Sequence, residues 1–173
     1  HALPHEQYAV RRVDLAIRWG HGSCLPTERS EILFKCELVP VCAPGYIRPD
    51  RPLRVPSDLR HYTLLHEDSY EDWSTWFRAA GVGEALPTHG TIINDSNTLI
   101  EAAINQQGVA LGRTPLIQDE IRSGALIQPF EISIQCDGAY YLVYDQEAER
   151  REAFRKFRAF LIGEASATAG ELV

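Results

Sequence analysis

No run of about 18 or more apolar residues occurs in the 173-residue sequence, so no helix able to cross a bilayer is expected. The opening residues, His1-Ala2-Leu3-Pro4-His5, have neither the basic nor the apolar region of a secretory signal, and a cytoplasmic location is the expectation. Cysteine is sparse. Cys24, Cys36, Cys42 and Cys136 form no C-x-x-C pair and none stands at ligand spacing from a histidine, which predicts reduced thiols packed as small apolar side chains. The histidines at 1, 5, 21, 61, 66 and 89 give neither close pairs nor an H-E-x-x-H helix, so no metal and no cofactor are expected. Positive charge is also short. A net charge of −7 gives no general attraction for phosphate backbones, and any contact with DNA would need another part of a longer chain. Neither a G-x-S-x-G elbow nor a compact Ser/His/Asp arrangement occurs, which speaks against hydrolytic chemistry.

What is present is an ordinary globular composition, 45% hydrophobic and 24% charged, long enough for one full core or two small lobes. The stretch from Ile92 to Leu116 carries the most structure per residue. Gly90 to Ile93 reads as a strand, and Asn94-Asp95-Ser96-Asn97 interrupts it with four short polar side chains of the type that cap helices. Leu99, Ala102 and Ala103 then fall at helical spacing, and Gly108 is the expected left-handed stop. The cap could be Asp95 or Ser96, or the capping-box pair Thr98 and Glu101. Val109-Ala110-Leu111 reads as a strand buried on both faces, and Thr114-Pro115 as the start of a helix over 115–122. Two helix N-termini following two strand ends form a place suited to a carboxylate or other anion, which Arg113 could grip bidentately. The competing reading is that residues 94–97 only cap the helix and that Arg113 points into water.

Elsewhere, 13–18 reads as a strand ending at Arg18, followed by the glycine-rich loop Trp19-Gly20-His21-Gly22-Ser23. Residues 31–42 predict an extended ribbon, because Pro40 forbids an interior helical bond. The prolines at 44, 49, 52 and 56 mark a surface crossing with room only for short helices, where Ser57 can cap a brief turn, and 63–66 reads as a strand. Residues 71–80 predict a helix with Trp73, Trp76 and Phe77 on one core-facing side. Strands are expected at 126–130 and, after an Asp137-Gly138 turn, at 139–144. A last helix over 147–162 would bury Phe154, Phe157 and Leu161, with 163–173 frayed.

The runs VDLAIRWG, ELVPVCAPGY, LLHED with W-x-x-W, QGVALGRTPL, GALIQPFE, YYLVY and the closing F-x-x-F-x-x-FL come in the order seen in LysR-type transcriptional regulators. From about Val13 to Ile162 the sequence resembles their effector-binding domain, closest to the glycine-cleavage activator branch. The resemblance implies an α/β fold of two lobes, like periplasmic binding proteins, with a small-molecule effector in the cleft between them. It implies crossing segments near Leu64–His66 and Tyr144–Gln146, hence one lobe of 1–64 with 146–173 and a second of 65–145. It also implies an incomplete start to lobe one, since a strand-crossover-strand unit needs about 30 residues and only 12 precede Val13.

The expected effector contacts are Arg18, Trp19, Asn94, Asp95, Ser96, Asn97, Arg113 and Tyr140, with Tyr141 competing for the inward place on its strand. The reading is a non-enzymatic, ligand-sensing regulatory domain that pairs into a homodimer or higher oligomer, binds no membrane, and reaches DNA only through an N-terminal domain outside these residues. A solute-binding receptor of the same fold and a small α/β hydrolase are the alternatives.

Overall fold

The chain begins with two strands, β1 (Ala16–Gly20) and β2 (Glu28–Val41), and continues through short 3-10 turns at Pro44–Tyr46 and Pro56–His61 to β3 (Leu65–Glu67). There follow α1 (Glu71–Ala79), β4 (Thr91–Ile93), α2 (Ser96–Ile104), β5 (Ala110–Arg113), a 3-10 turn at Thr114–Leu116 and α3 (Gln118–Ser123). The long strand β6 (Ile134–Asp145), a 3-10 segment Gln146–Arg150 and α4 (Glu152–Gly170) complete it. This computed structural model describes residues 14–22, 24–83 and 90–170. Val13, Ser23 and the histidines His1, His5 and His89 lie outside the described residues.

Two units divide the chain, His1–Lys35 with Asp137–Val173, and Cys36–Cys136. Both boundaries fall inside a strand, β2 at 35/36 and β6 at 136/137, so the chain passes between the units along extended backbone. These bounds differ from the lobes drawn at 64/65 and 145/146. Leu64, Leu65 and His66, of the first expected crossing, lie in the Cys36–Cys136 unit, and Tyr144 to Gln146, of the second, in the other.

In the first unit β1 pairs antiparallel with β6, Trp19 opposite Tyr140 and Gly20 opposite Ala139. The expected Asp137-Gly138 turn is instead part of β6. A Cβ on Gly138 would lie 2.9 Å from the Trp19 ring, so the glycine makes room for an indole and does not reverse the chain. Leu142, Tyr144, Ala148 and Phe154 form this unit's buried cluster. Of the apolar positions expected to be buried on the last helix, Phe157 is 52% exposed, and Phe160 beside it 58%. That helix starts at Glu152, five residues later than expected because 146–150 winds as 3-10, and it runs on to Gly170 through the segment expected to fray.

Glu31 joins this helix to β2. It accepts Arg158 Nε at 2.9 Å, a second bond from the same guanidinium, and the Tyr144 hydroxyl. Burial pushes the Glu31 carboxyl up, but the bonds from Arg158 and Tyr144 outweigh it and hold it below the usual value. A depressed carboxylate contributes stability that is full above its unfolded pKa and lost as pH falls through the folded one. Glu31→Gln is therefore expected to lower the free energy of unfolding from urea titration at about pH 6 by no more than about 1 kcal/mol, because the pair is a third exposed, and the deficit is expected to shrink as pH falls below the ordinary glutamate range. A deficit that persists unchanged at the lower pH would refute the assignment.

The second unit holds most of the core. β2 pairs antiparallel with β5, placing Pro40 opposite Leu111, and Val41, Cys42, Val109 and Ala110 are fully buried. β3 and β4 run parallel, and a parallel bridge joins Leu64 to Val109, so β3 lies between β4 and the start of β5 with all three pointing the same way. Trp73, Trp76 and Phe77 of α1 are buried as expected. Residues 126–130 form no strand; Leu126 and Phe130 are buried, and only Ile127 bridges to Cys42.

Gly108 is not the expected left-handed stop. α2 ends at Ile104, Gln106 takes φ +60°, and Gly108 is needed because a Cβ would meet Thr63 O at 2.8 Å and Leu65 Cγ at 2.7 Å. Gly108→Ala should cost about 1–3 kcal/mol, read from chemical denaturation, since a backbone oxygen cannot move aside; a loss under about 0.5 kcal/mol would contradict this packing.

Candidate functional site

Three parallel strands deliver their carboxyl ends to one place, where α/β proteins present ligands with side chains and unpaired amides. β3 ends at Glu67, β4 runs into the turn Asn94-Asp95 before α2, and β5 ends at Arg113. Glu67 pairs with the Arg113 guanidinium and accepts the Ser96 hydroxyl, while Arg113 Nη1 donates to Ser96 Oγ at 2.8 Å. All three residues thus share one network, and the side chains of the ion pair are each 12% exposed.

A cavity of about 190 Å³ opens on this network, bounded by Glu67, Ser96, Asn97, Arg113 and Glu120 with Leu111 and Ile117 as apolar floor. Glu120 Oε2 is buried and accepts no hydrogen bond from the described residues. Beside the cavity, burial raises Asp72, with Arg113 lowering and Glu67 raising it in turn.

Asp95 is the helix cap: its Oδ1 accepts Thr98 N–H and the Thr98 hydroxyl, both at 2.8 Å. These bonds hold its carboxyl low, and they fill the amide end of α2 with the protein's own carboxylate. The expected second helix N-terminus is a 3-10 turn, and Thr114 Oγ1 takes the Glu37 N–H where a cap was expected. Likewise Asp58, not Ser57, closes the 56–61 turn by accepting the amides of Arg54 and Val55.

The eight expected contacts are distributed unequally. Ser96, Asn97 and Arg113 line the cavity, Asp95 and Asn94 are exposed beside it, and all five lie in the Cys36–Cys136 unit. Arg18, Trp19 and Tyr140 belong to the other unit. There Arg18 Nη1 faces Glu28 Oε2 at 3.7 Å, and the Tyr140 ring packs between Trp19 at 5.0 Å and Phe34 at 4.7 Å. Tyr141 is opposite Arg18 and lies against Gly22. Glu67 and Glu120 were missed. Glu67 had a readable signal, a carboxylate closing a strand in LLHED; Glu120 had none, being one of several acids on a short helix.

The chemistry of this constellation is recognition. A guanidinium, a hydroxyl and carboxylates at the ends of parallel strands form a polar cavity with an apolar floor, the kind of concave, mixed-polarity surface that small-ligand sites in α/β domains have. The chain belongs to the LysR substrate binding domain family, whose model matches residues 2–166. It is 38% identical over 156 residues to the glycine cleavage system transcriptional activator of Escherichia coli K12, covering 90% of this chain and 50% of that protein. It is 33% identical over 154 residues to the transcriptional activator AmpR of Rhodobacter capsulatus, covering 89% and 51%. The chain thus spans about half the length of the curated relatives it matches. Among solved structures, the effector domain of the transcriptional regulator AmpR of Pseudomonas aeruginosa superposes with a TM-score of 0.78 at 29% identity, covering 95% of this chain and 78% of that one. The AmpR effector binding domain from Citrobacter freundii gives 0.75 at 27%, covering 92% and 78%. The α/β fold is therefore that of LysR effector-binding domains. Among the described residues no helix is long and apolar enough to cross a membrane, and no group of three or more His, Cys, Asp or Glu could hold a metal.

Proposed function

We propose that this chain is the ligand-sensing domain of a LysR-type transcription regulator, and that its effector enters the cavity at the start of α2. The Glu67–Arg113–Ser96 network carries this reading, because it sets hydrogen-bonding groups of both polarities on the wall of a cavity built by three strand ends. At about 190 Å³ the cavity suits a metabolite smaller than the ligands of the roughly 300–1,000 Å³ pockets that take drug-sized molecules. Arg113 is engaged by Glu67, and Glu67, Glu101 and Glu120 outnumber it on the wall. An acidic group on the effector would take Arg113 by sharing or displacing Glu67, and donor groups on the same molecule would meet the carboxylates.

The protein is read as non-enzymatic and cytoplasmic. DNA contact is assigned to sequence beyond these 173 residues, in keeping with the net charge of −7. Self-association through the first unit is supported by Ile17, Ile32, Phe157 and Phe160, each more than half exposed.

A thermal-shift screen of small polar metabolites, followed by calorimetry with the best hit, tests the site. Ser96→Ala should weaken that hit by about 2- to 13-fold, the equivalent of one hydrogen bond at about 0.5–1.5 kcal/mol, while leaving the fold intact. Unchanged affinity in Ser96→Ala would move the effector elsewhere.

A further inference from the structure

Cys36 and Cys136 are 100 residues apart in sequence, yet their sulfur atoms lie 2.9 Å apart. They face each other across the neighbouring strands β2 and β6, where the next pair along, Glu37 and Gln135, is also joined side chain to side chain. The residue numbers run in opposite senses, so the strands are antiparallel and the two thiols are direct cross-strand partners. A disulfide bond is about 2.05 Å long, and closing the remaining gap takes less than about 1 Å of movement. We propose that Cys36 and Cys136 are a peroxide-responsive modification site that closes to a reversible disulfide.

The two sulfurs are not equivalent. The hydrogen bond with Cys136 and the Arg113 charge hold Cys36 below the ordinary thiol value, although burial and Glu67 oppose them. Cys136 is pushed up by its bond to Cys36 and by burial, so it keeps the proton. The Cys36 thiolate attacks one oxygen of hydrogen peroxide: an S–O bond forms, the O–O bond breaks, and the departing hydroxide takes a proton to become water. Cys136 sulfur then attacks the sulfenic sulfur, the S–S bond forms, and the S–O bond breaks. The second hydroxide leaves with the Cys136 proton as water, so two thiols and one peroxide give one disulfide and two waters. Peroxide is small enough to reach a residue that is only 2% exposed, with Cys136 the more accessible of the two. The other cysteines serve as internal comparisons. Cys42 is fully buried and raised to about 11 by burial, and Cys24 is exposed.

The bond would fix β2 next to Glu37, whose N–H is held by Thr114 beside Arg113, and so would register at the cavity. That consequence rests on the effector reading. The bond itself does not, and it is measured separately.

The test treats the purified chain with hydrogen peroxide, blocks remaining thiols with iodoacetamide under denaturing conditions, and measures intact and peptide masses. Relative to the untreated chain alkylated the same way, the expected result is a mass about 116 Da lower, two carbamidomethyl groups and two hydrogens fewer, which dithiothreitol before alkylation reverses, mapped to a Cys36–Cys136 crosslink, with Cys42 alkylated. Cys24→Ser should keep the loss, and Cys36→Ser and Cys136→Ser should each abolish it. Should either serine variant fail to fold, the wild-type crosslink map decides alone. No mass loss, a gain of about 16 or 32 Da at either cysteine without a crosslink, or a bond made only through Cys24 would each overturn the proposal.

Discussion

Arg113→Ala should lower the free energy of unfolding by about 3 kcal/mol at neutral pH, because it leaves Glu67 charged in a place prepared for an ion pair. Only 12% of each side chain is exposed, so water cannot replace the lost guanidinium in full. Ser96 still donates to Glu67, which keeps the expected loss at the low end of the range for broken buried pairs. Glu67→Gln added to Arg113→Ala should recover part of the loss, since the orphaned charge is then gone and the two sites couple directly. Urea denaturation followed by the fluorescence of Trp73 and Trp76, both in the same unit, reads all the variants. A loss below about 1 kcal/mol for Arg113→Ala would mean that the pair behaves as a surface pair, and the dry character of the cavity wall would have to be abandoned.

Trp76→Ala should be more severe, about 3–5 kcal/mol, which takes much of the stability of an ordinary domain. Trp76 is fully buried, packs edge-on to Trp73 and Phe77 and tilted against Phe130, and donates its indole N–H to Ile132 O at 2.9 Å. Alanine there removes aromatic contacts from three rings at once and strands the carbonyl. Trp76→Phe separates the two effects: it keeps most of the volume and leaves Ile132 O unpaired, for an expected loss of about 1–3 kcal/mol. Equal losses for both variants would show that the hydrogen bond, not the packing, dominates this position.

Much of the second unit was legible because local rules and tertiary packing agree there. The aromatic stripe of 73, 76 and 77 has helical spacing and one face, and burying it against anything apolar satisfies it. Asp95 caps α2 because a short carboxylate before a helix finds the same amides in any fold. Val109 to Leu111 had to be interior, since no polar residue interrupts it. Ser96, Asn97 and Arg113 were legible as neighbours by their position at strand ends, which the parallel strands bring together on the wall of one cavity.

The misreadings share a cause, which is that a glycine or a polar pair does not say what it is near. Gly108 and Gly138 have the composition of a stop and a turn, yet each is fixed by the close approach of a residue far away in sequence, Leu65 and Trp19. Phe157 has core spacing and lies exposed, because periodicity identifies a face but not whether anything covers it. The sequence by itself determined the α/β class, the family, the acidic balance and the helices and strands whose apolar pattern is local. Tertiary structure alone decided that Glu67 would neutralise Arg113, that Cys36 would meet Cys136, and that the chain would cross between units inside β2 and β6. Each of those facts depends on strand pairing between distant segments, where the pairing partner, and not the residue's own neighbours in sequence, sets what a side chain touches.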